Sequence, residues 1–178
     1  MESTTGNGVL RDAKGDSIEI RVTGYGHPDA QLLSAEVQEE YVRRYGEGDL
    51  TELHPDHFEP PAGLFLIAYL DGEPVACGGW RAKEAGPHGI RAGDAELKRM
   101  FVRPVARGRG LARAVLRRLE LTAAEAGRTR FVLETGTEQP EAIALYASEG
   151  YADIRKFGIY REHPQSVCMG KEFGAAAV

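Results

Sequence analysis

Apolar and polar positions alternate at Ile18, Ile20 and Val22, the two-residue period of a half-buried strand over residues 17–23. From Asp29 to Tyr45 the spacing lengthens. Leu33, Val37, Tyr41 and Tyr45 recur every fourth residue, one face of a helix that Gly46 and Gly48 end. Residues 49–62 hold three prolines and predict a short helix or an ordered loop. Residues 63–70 and 74–82 are apolar runs on either side of Asp71-Gly72, the dipeptide of a tight hairpin. A glycine-rich connection, 84–93, leads to a fourth strand over 95–102. In the helix expected over 111–126, Leu111, Val115 and Leu119 stand beside Ala112, Leu116 and Ala123 on one face, and Gly127 follows as a stop. A strand at 131–135, a helix at 140–149 and strands at 151–154 and 167–173 complete the pattern. The last helix has Pro140 in its first turn and Gly150 just past its end, the usual asymmetry. Strands and helices so interleaved make the class mixed α/β.

The length of 178 residues suits one domain with one core, expected over 17–174, behind a polar, mobile tail at 1–16. A net charge of −5 removes the global basic footprint of a nucleic-acid binder. The N-terminus lacks the apolar segment of a signal peptide, and no run has the length of a membrane span. Cys77 and Cys168 lie outside any metal or redox spacing, which fits a reducing cytoplasm, while a bond between them stays open. His54 and His57 flank Pro55 without further ligands. They read as a turn or substrate-loop element, and no metal site is expected.

The stretch from Glu96 to Ala112 carries the chemical signal. A strand runs into the turn Arg107-Gly108-Arg109-Gly110, and the turn opens a long helix. The first N–H groups of a helix lack internal partners and sit at the positive end of its dipole. Gly108 and Gly110 carry no Cβ, so a bulky anion can reach the backbone, and Arg107, Arg109 and Arg113 add charge. The arrangement suits a phosphate or pyrophosphate. No Lys-Ser or Lys-Thr follows Gly110, which excludes a Walker A loop, and the missing third glycine excludes the dinucleotide fingerprint.

On these residues the chain resembles the GNAT superfamily of CoA-dependent N-acetyltransferases. Arg107-Gly108-Arg109-Gly110-Leu111-Ala112 matches the family's loop, Leu97 to Pro104 matches its fourth strand, and Ala142 to Tyr151 resembles its second signature. The C-terminal Pro164-Gln-Ser-Val segment and Leu133-Glu134-Thr135-Gly136 resemble a bacterial branch with small-molecule or amino-acid-like acceptors. The resemblance implies a mostly antiparallel sheet with helices on both faces. The family's parallel strands four and five, here 95–102 and 131–135, would splay apart around acetyl-CoA. It also implies backbone contacts from Met100, Phe101 and Val102 to the pantetheine arm, and a pyrophosphate held between Gly108 and Arg113. Gln139 stands where the family often has Asn, and is either a ligand contact or an exposed loop residue.

Transfer of an acetyl group to an amine needs a base for the ammonium and an acid for the leaving thiolate. Glu96 is the candidate base, with the alternative of a solvated carboxylate beside Lys98 on the same strand face. Tyr146 is the candidate acid, an N–H of Phe101 or Val102 would hold the oxyanion, and Tyr41, Tyr45 and Trp80 are candidates to line the acceptor pocket. The negative net charge favours a cationic acceptor. The readings are acetylation of a small or amino-acid-like amine, acetylation of a protein N-terminus or lysine, and an acetyl-CoA-binding module without turnover. Neither a nucleic acid nor a membrane is an expected partner, and a monomer or a homodimer fits equally.

Overall fold

The computed structural model describes residues 7–174. One sheet of eight strands holds them together: β1 Gly8–Arg11, β2 Ser17–Thr23, β3 Gly63–Leu70, β4 Glu73–Ala82, β5 Asp94–Val102, β6 Arg130–Gly136, β7 Ala152–Asp153 and β8 Ser166–Glu172. Their spatial order is β1-β2-β3-β4-β5-β6-β8-β7. Every neighbouring pair is antiparallel except β5 and β6. Helix α1, Pro28–Tyr45, covers one face, and α2, Leu111–Glu125, with α3, Pro140–Ser148, covers the other.

Each helix is cut where its chemistry dictates. The side chain of His27 accepts the Asp29 N–H ahead of α1, and Gly46, in the left-handed region, closes it by donating to the carbonyl of Val42. Leu33 and Val37 of α1 pack on Phe65, Ile67, Cys77 and Phe101. Leu111, Val115, Leu116 and Leu119 of α2 pack on Leu66, Trp80 and Leu97, so adjacent residues of β3, β4 and β5 feed opposite layers. Cys77 and Cys168 are both buried free thiols.

The sheet extends one strand further toward the N-terminus than the sequence implies. β1 lies in the segment expected as a tail, whose first six residues fall outside the described residues. Val9 and Leu10 are exposed, so no buried face marks the strand. Its order comes from Asp12, whose Oδ1 accepts the N–H groups of Lys14 and Asp16 and folds the turn into β2.

The feature that makes room for chemistry is the short seam between β5 and β6. It contains three pairs, Asp94 with Arg130, Ala95 with Phe131 and Glu96 with Val132. The base is clamped by a fork in which Arg130 donates to both oxygens of Asp94, at 2.7 and 2.6 Å. Beyond Glu96 the two strands follow other partners. The β4–β5 register slips between Cys77 and Gly79, and Arg99 takes a φ of 57°. β6 stays on β8 through seven pairs, as far as Gly136 with Ser166. The strands open into a V.

Candidate functional site

The V encloses a cavity of about 700 Å³ lined from both arms, from the start of α2 and from α1 and α3. At one end stands the turn before α2. Gly108 and Gly110 have φ of 75° and 79°, which L side chains rarely adopt. A Cβ built on either would meet no protein atom within 4 Å, so no packing in the protein explains these glycines. No side chain caps α2. The turn, together with Leu111, Ala112 and Arg113, therefore presents an uncapped helix start to an open cavity.

The three arginines of this turn are held by carboxylates. Arg107 donates to Glu40 at 2.6 Å and to the carbonyl of Val102, and Arg113 pairs with Glu149 at 2.9 Å. Arg109 turns away and bonds Asp12 and Asp16 at 2.7 and 2.6 Å. Arg107 and Arg113 line the cavity; Arg109 does not and serves instead as an anchor for the β1–β2 turn.

Where the arms part, Met100, Phe101 and Val102 line one wall and Leu133, Glu134 and Thr135 the other. Tyr146 projects from α3 between them. It is buried, its hydroxyl has no hydrogen-bond partner among the described residues, and burial pushes its phenol pKa well up. Gln139 accepts from the hydroxyl of Tyr45 at 3.1 Å, a contact from α1 to the start of α3, and both residues line the cavity. Tyr41 lines it as well.

Two carboxylates differ in a way the sequence hides. Glu96 is not among the cavity-lining residues. Its Oε2 lies 2.8 Å from Arg81, its register partner on β4, and 3.4 Å from Lys83. Burial would raise its pKa, but Lys98, Arg81 and Lys83 outweigh that and draw it down. Glu134 does line the cavity. It accepts one hydroxyl hydrogen bond, from Ser166 at 3.0 Å, and burial lifts its pKa, with Asp49 and Glu96 adding to the lift and Ser166 and Lys98 opposing it. The visible signal for Glu134 is the lone carboxylate of β6, but only the splay of β5 from β6 turns that position into a cavity wall. Trp80, expected near the acceptor, belongs instead to the core under α2, where its indole N–H donates to Thr122 at 3.0 Å. His54 and His57 cap the 3₁₀ turn Pro55–Phe58, where the His57 ring accepts the His54 N–H. No helix among the described residues is long and apolar enough to cross a membrane.

The model of the Acetyltransferase (GNAT) family matches residues 32–151. An IAA acetyltransferase of Azospirillum brasilense is 42% identical over 130 residues, covering 70% of this chain and 81% of that protein. The N-acetyltransferase YjgM of Escherichia coli K12 is 31% identical over 140 residues, 75% and 81% of the respective chains. Among solved structures, the GNAT domain of S. lividans PAT superposes with a TM-score of 0.74 at 21% identity, over 97% of this chain and 100% of that one. PaiA N-acetyltransferase of Thermoplasma acidophilum, solved with coenzyme A, gives 0.62 at 17% identity, over 88% and 99%. At these identities the two structures show a shared fold.

Proposed function

Since this chain belongs to the GNAT family of acetyltransferases, we propose that it passes the acetyl group of acetyl-CoA directly to a small primary amine inside the V between β5 and β6. The observation that carries the reading is the three-pair seam, which leaves residues 97–102 and 133–136 facing a common cavity. The A. brasilense relative, an IAA acetyltransferase, speaks for a small-molecule acceptor over a polypeptide.

The residues present fit the donor. The open space at Gly108 and Gly110 and the uncapped start of α2 suit a pyrophosphate, with Arg107 and Arg113 at its flanks. Gln139, its carbonyl oxygen occupied by Tyr45, keeps its amide N–H groups for the cavity. Met100, Phe101 and Val102 line the cavity, which supports a reading in which their backbone groups take the pantetheine arm and an N–H of Phe101 or Val102 holds the developing oxyanion.

Acetyl-CoA supplies an activated acyl carbon on a leaving group of thiol acidity. An acceptor ammonium is mostly protonated at neutral pH and must lose a proton before its lone pair can attack. Glu96 is poorly suited to take it, being clamped by Arg81 and Lys83 outside the cavity wall. Glu134 takes this role. The nitrogen lone pair forms the C–N bond, the C–S bond breaks, and the electron pair leaves on sulfur. Tyr146, kept neutral by burial, donates its proton to that sulfur and recovers one from the nitrogen of the new amide. Glu134 returns its proton to water.

The test is kinetic. Tyr146→Phe and Glu134→Gln are expected to lower kcat by roughly 100-fold or more, with acetyl-CoA affinity retained. Because the base works deprotonated and burial raises its pKa, kcat/KM should fall on acidification above the ordinary glutamate value of about 4.3. That acidic limb should vanish in Glu134→Gln. If it survives there and vanishes in Glu96→Gln, the base is Glu96.

A further inference from the structure

Two neighbouring cations of the cavity wall share a single carboxylate oxygen. Lys98 and Arg99, consecutive at the bulge of β5, both line the cavity, and both reach one oxygen, Asp49 Oδ2, at 3.2 and 2.8 Å. Burial works against ionisation of Asp49. Lys98, Thr51 and Arg99 prevail and hold its pKa at about 2. The Nε of Arg99, a residue 6% exposed, is buried with no partner. Nearby, Arg81 and Lys83 close on Glu96. Arg81 and Lys83 thus spend their charge on Glu96 outside the cavity, whereas Lys98 and Arg99 line it with Asp49 and Glu134. Glu47 stands exposed at the rim. A buried donor left without a partner is costly unless something accepts from it.

The unpartnered Nε of Arg99 and the ammonium of Lys98 belong to residues that line the cavity together with Glu134, the carboxylate proposed to take the acceptor's proton. We infer that the acceptor carries a carboxylate a few atoms from its amine, as an α-amino acid does, and that Lys98 and Arg99 receive this carboxylate while the amine faces Glu134. This inference rests on the proposed acetyl transfer. Tyr160, Gln165 and Ser166 also line the cavity with hydrogen-bonding groups. A diamine would set its second ammonium against Lys98 and Arg99, where like charges repel.

The experiment follows acetyl-CoA consumption with the twenty common L-amino acids and with amines that lack the carboxylate, among them phenethylamine, histamine and cadaverine. The wild-type enzyme should acetylate at least one amino acid with kcat/KM about tenfold or more above its decarboxylated partner, the size of one lost charge-assisted contact. Lys98→Met should erase most of that ratio through KM, Lys98→Arg should restore it, and both should bind acetyl-CoA like the wild type. Equal or better turnover of the decarboxylated amines overturns the inference and leaves the acetyl transfer standing, as does an unchanged ratio in folded Lys98→Met. Turnover of neither set overturns both. The matched-pair comparison on the wild type decides the matter even if the variants do not fold.

Discussion

Glu96 and Glu134 are both glutamates on adjacent strands of one sheet, and their surroundings alone separate them. Glu96 meets Arg81 across the β4–β5 register, so its charge is spent inside the protein. Glu134 meets a hydroxyl and the weak Cys168 thiol contact, so its charge is available to the cavity. The same logic applies to the glycine before α2. Gly110 has a φ that disfavours any side chain, and open space where one would go. Gly110→Asp adds backbone strain and a negative charge at an anion site. It should weaken acetyl-CoA binding by roughly 100-fold or more, measured by calorimetry on folded protein. Gly110→Ala, which adds the strain without the charge, should lose much less. Equal affinity of Gly110→Asp and wild type would remove the pyrophosphate from this turn.

At the scale of elements, the seam between β5 and β6 depends on the Asp94–Arg130 fork, a pair with both partners buried. Removing one partner strands a buried charge, so Asp94→Ala should destabilise the protein by roughly 3–5 kcal/mol in urea unfolding. An Asp94→Ala, Arg130→Met double variant should recover part of that loss. The elements themselves were largely legible. Period, apolar runs and punctuation locate β2 to β6, all three helices and β8 to within a residue or two, because most show a one-faced period or an unbroken apolar run and stop near a glycine or proline. What escaped was whatever depends on distant partners. β1 shows no buried face, and its turn is held by Arg109, 97 and 93 positions away from Asp12 and Asp16. The charge of Arg109 is plain from the sequence, but its neutralisation by those aspartates is not. Spacing puts Glu96 beside Lys98, yet it cannot show Arg81 opposite. Trp80 is an aromatic in an apolar strand whether it lines a cavity or fills a core. Which of these holds depends on α2 lying over it.

Across the whole molecule, five strands stand on one side of the V and three on the other, joined within the sheet by only three residue pairs. On the proposed reading, acetyl-CoA bound in the V would touch both sides and favour the folded chain, a staple across this short seam. At a hundred times its dissociation constant it should add about 2.7 kcal/mol to the unfolding free energy. The melting temperature should rise accordingly in a thermal scan with acetyl-CoA, and desulfo-CoA should reproduce most of the rise. If the rise is seen, a protein whose continuous hydrogen-bonded fabric is interrupted near its centre borrows its missing rung from its own cosubstrate, and each turnover briefly gives that rung back.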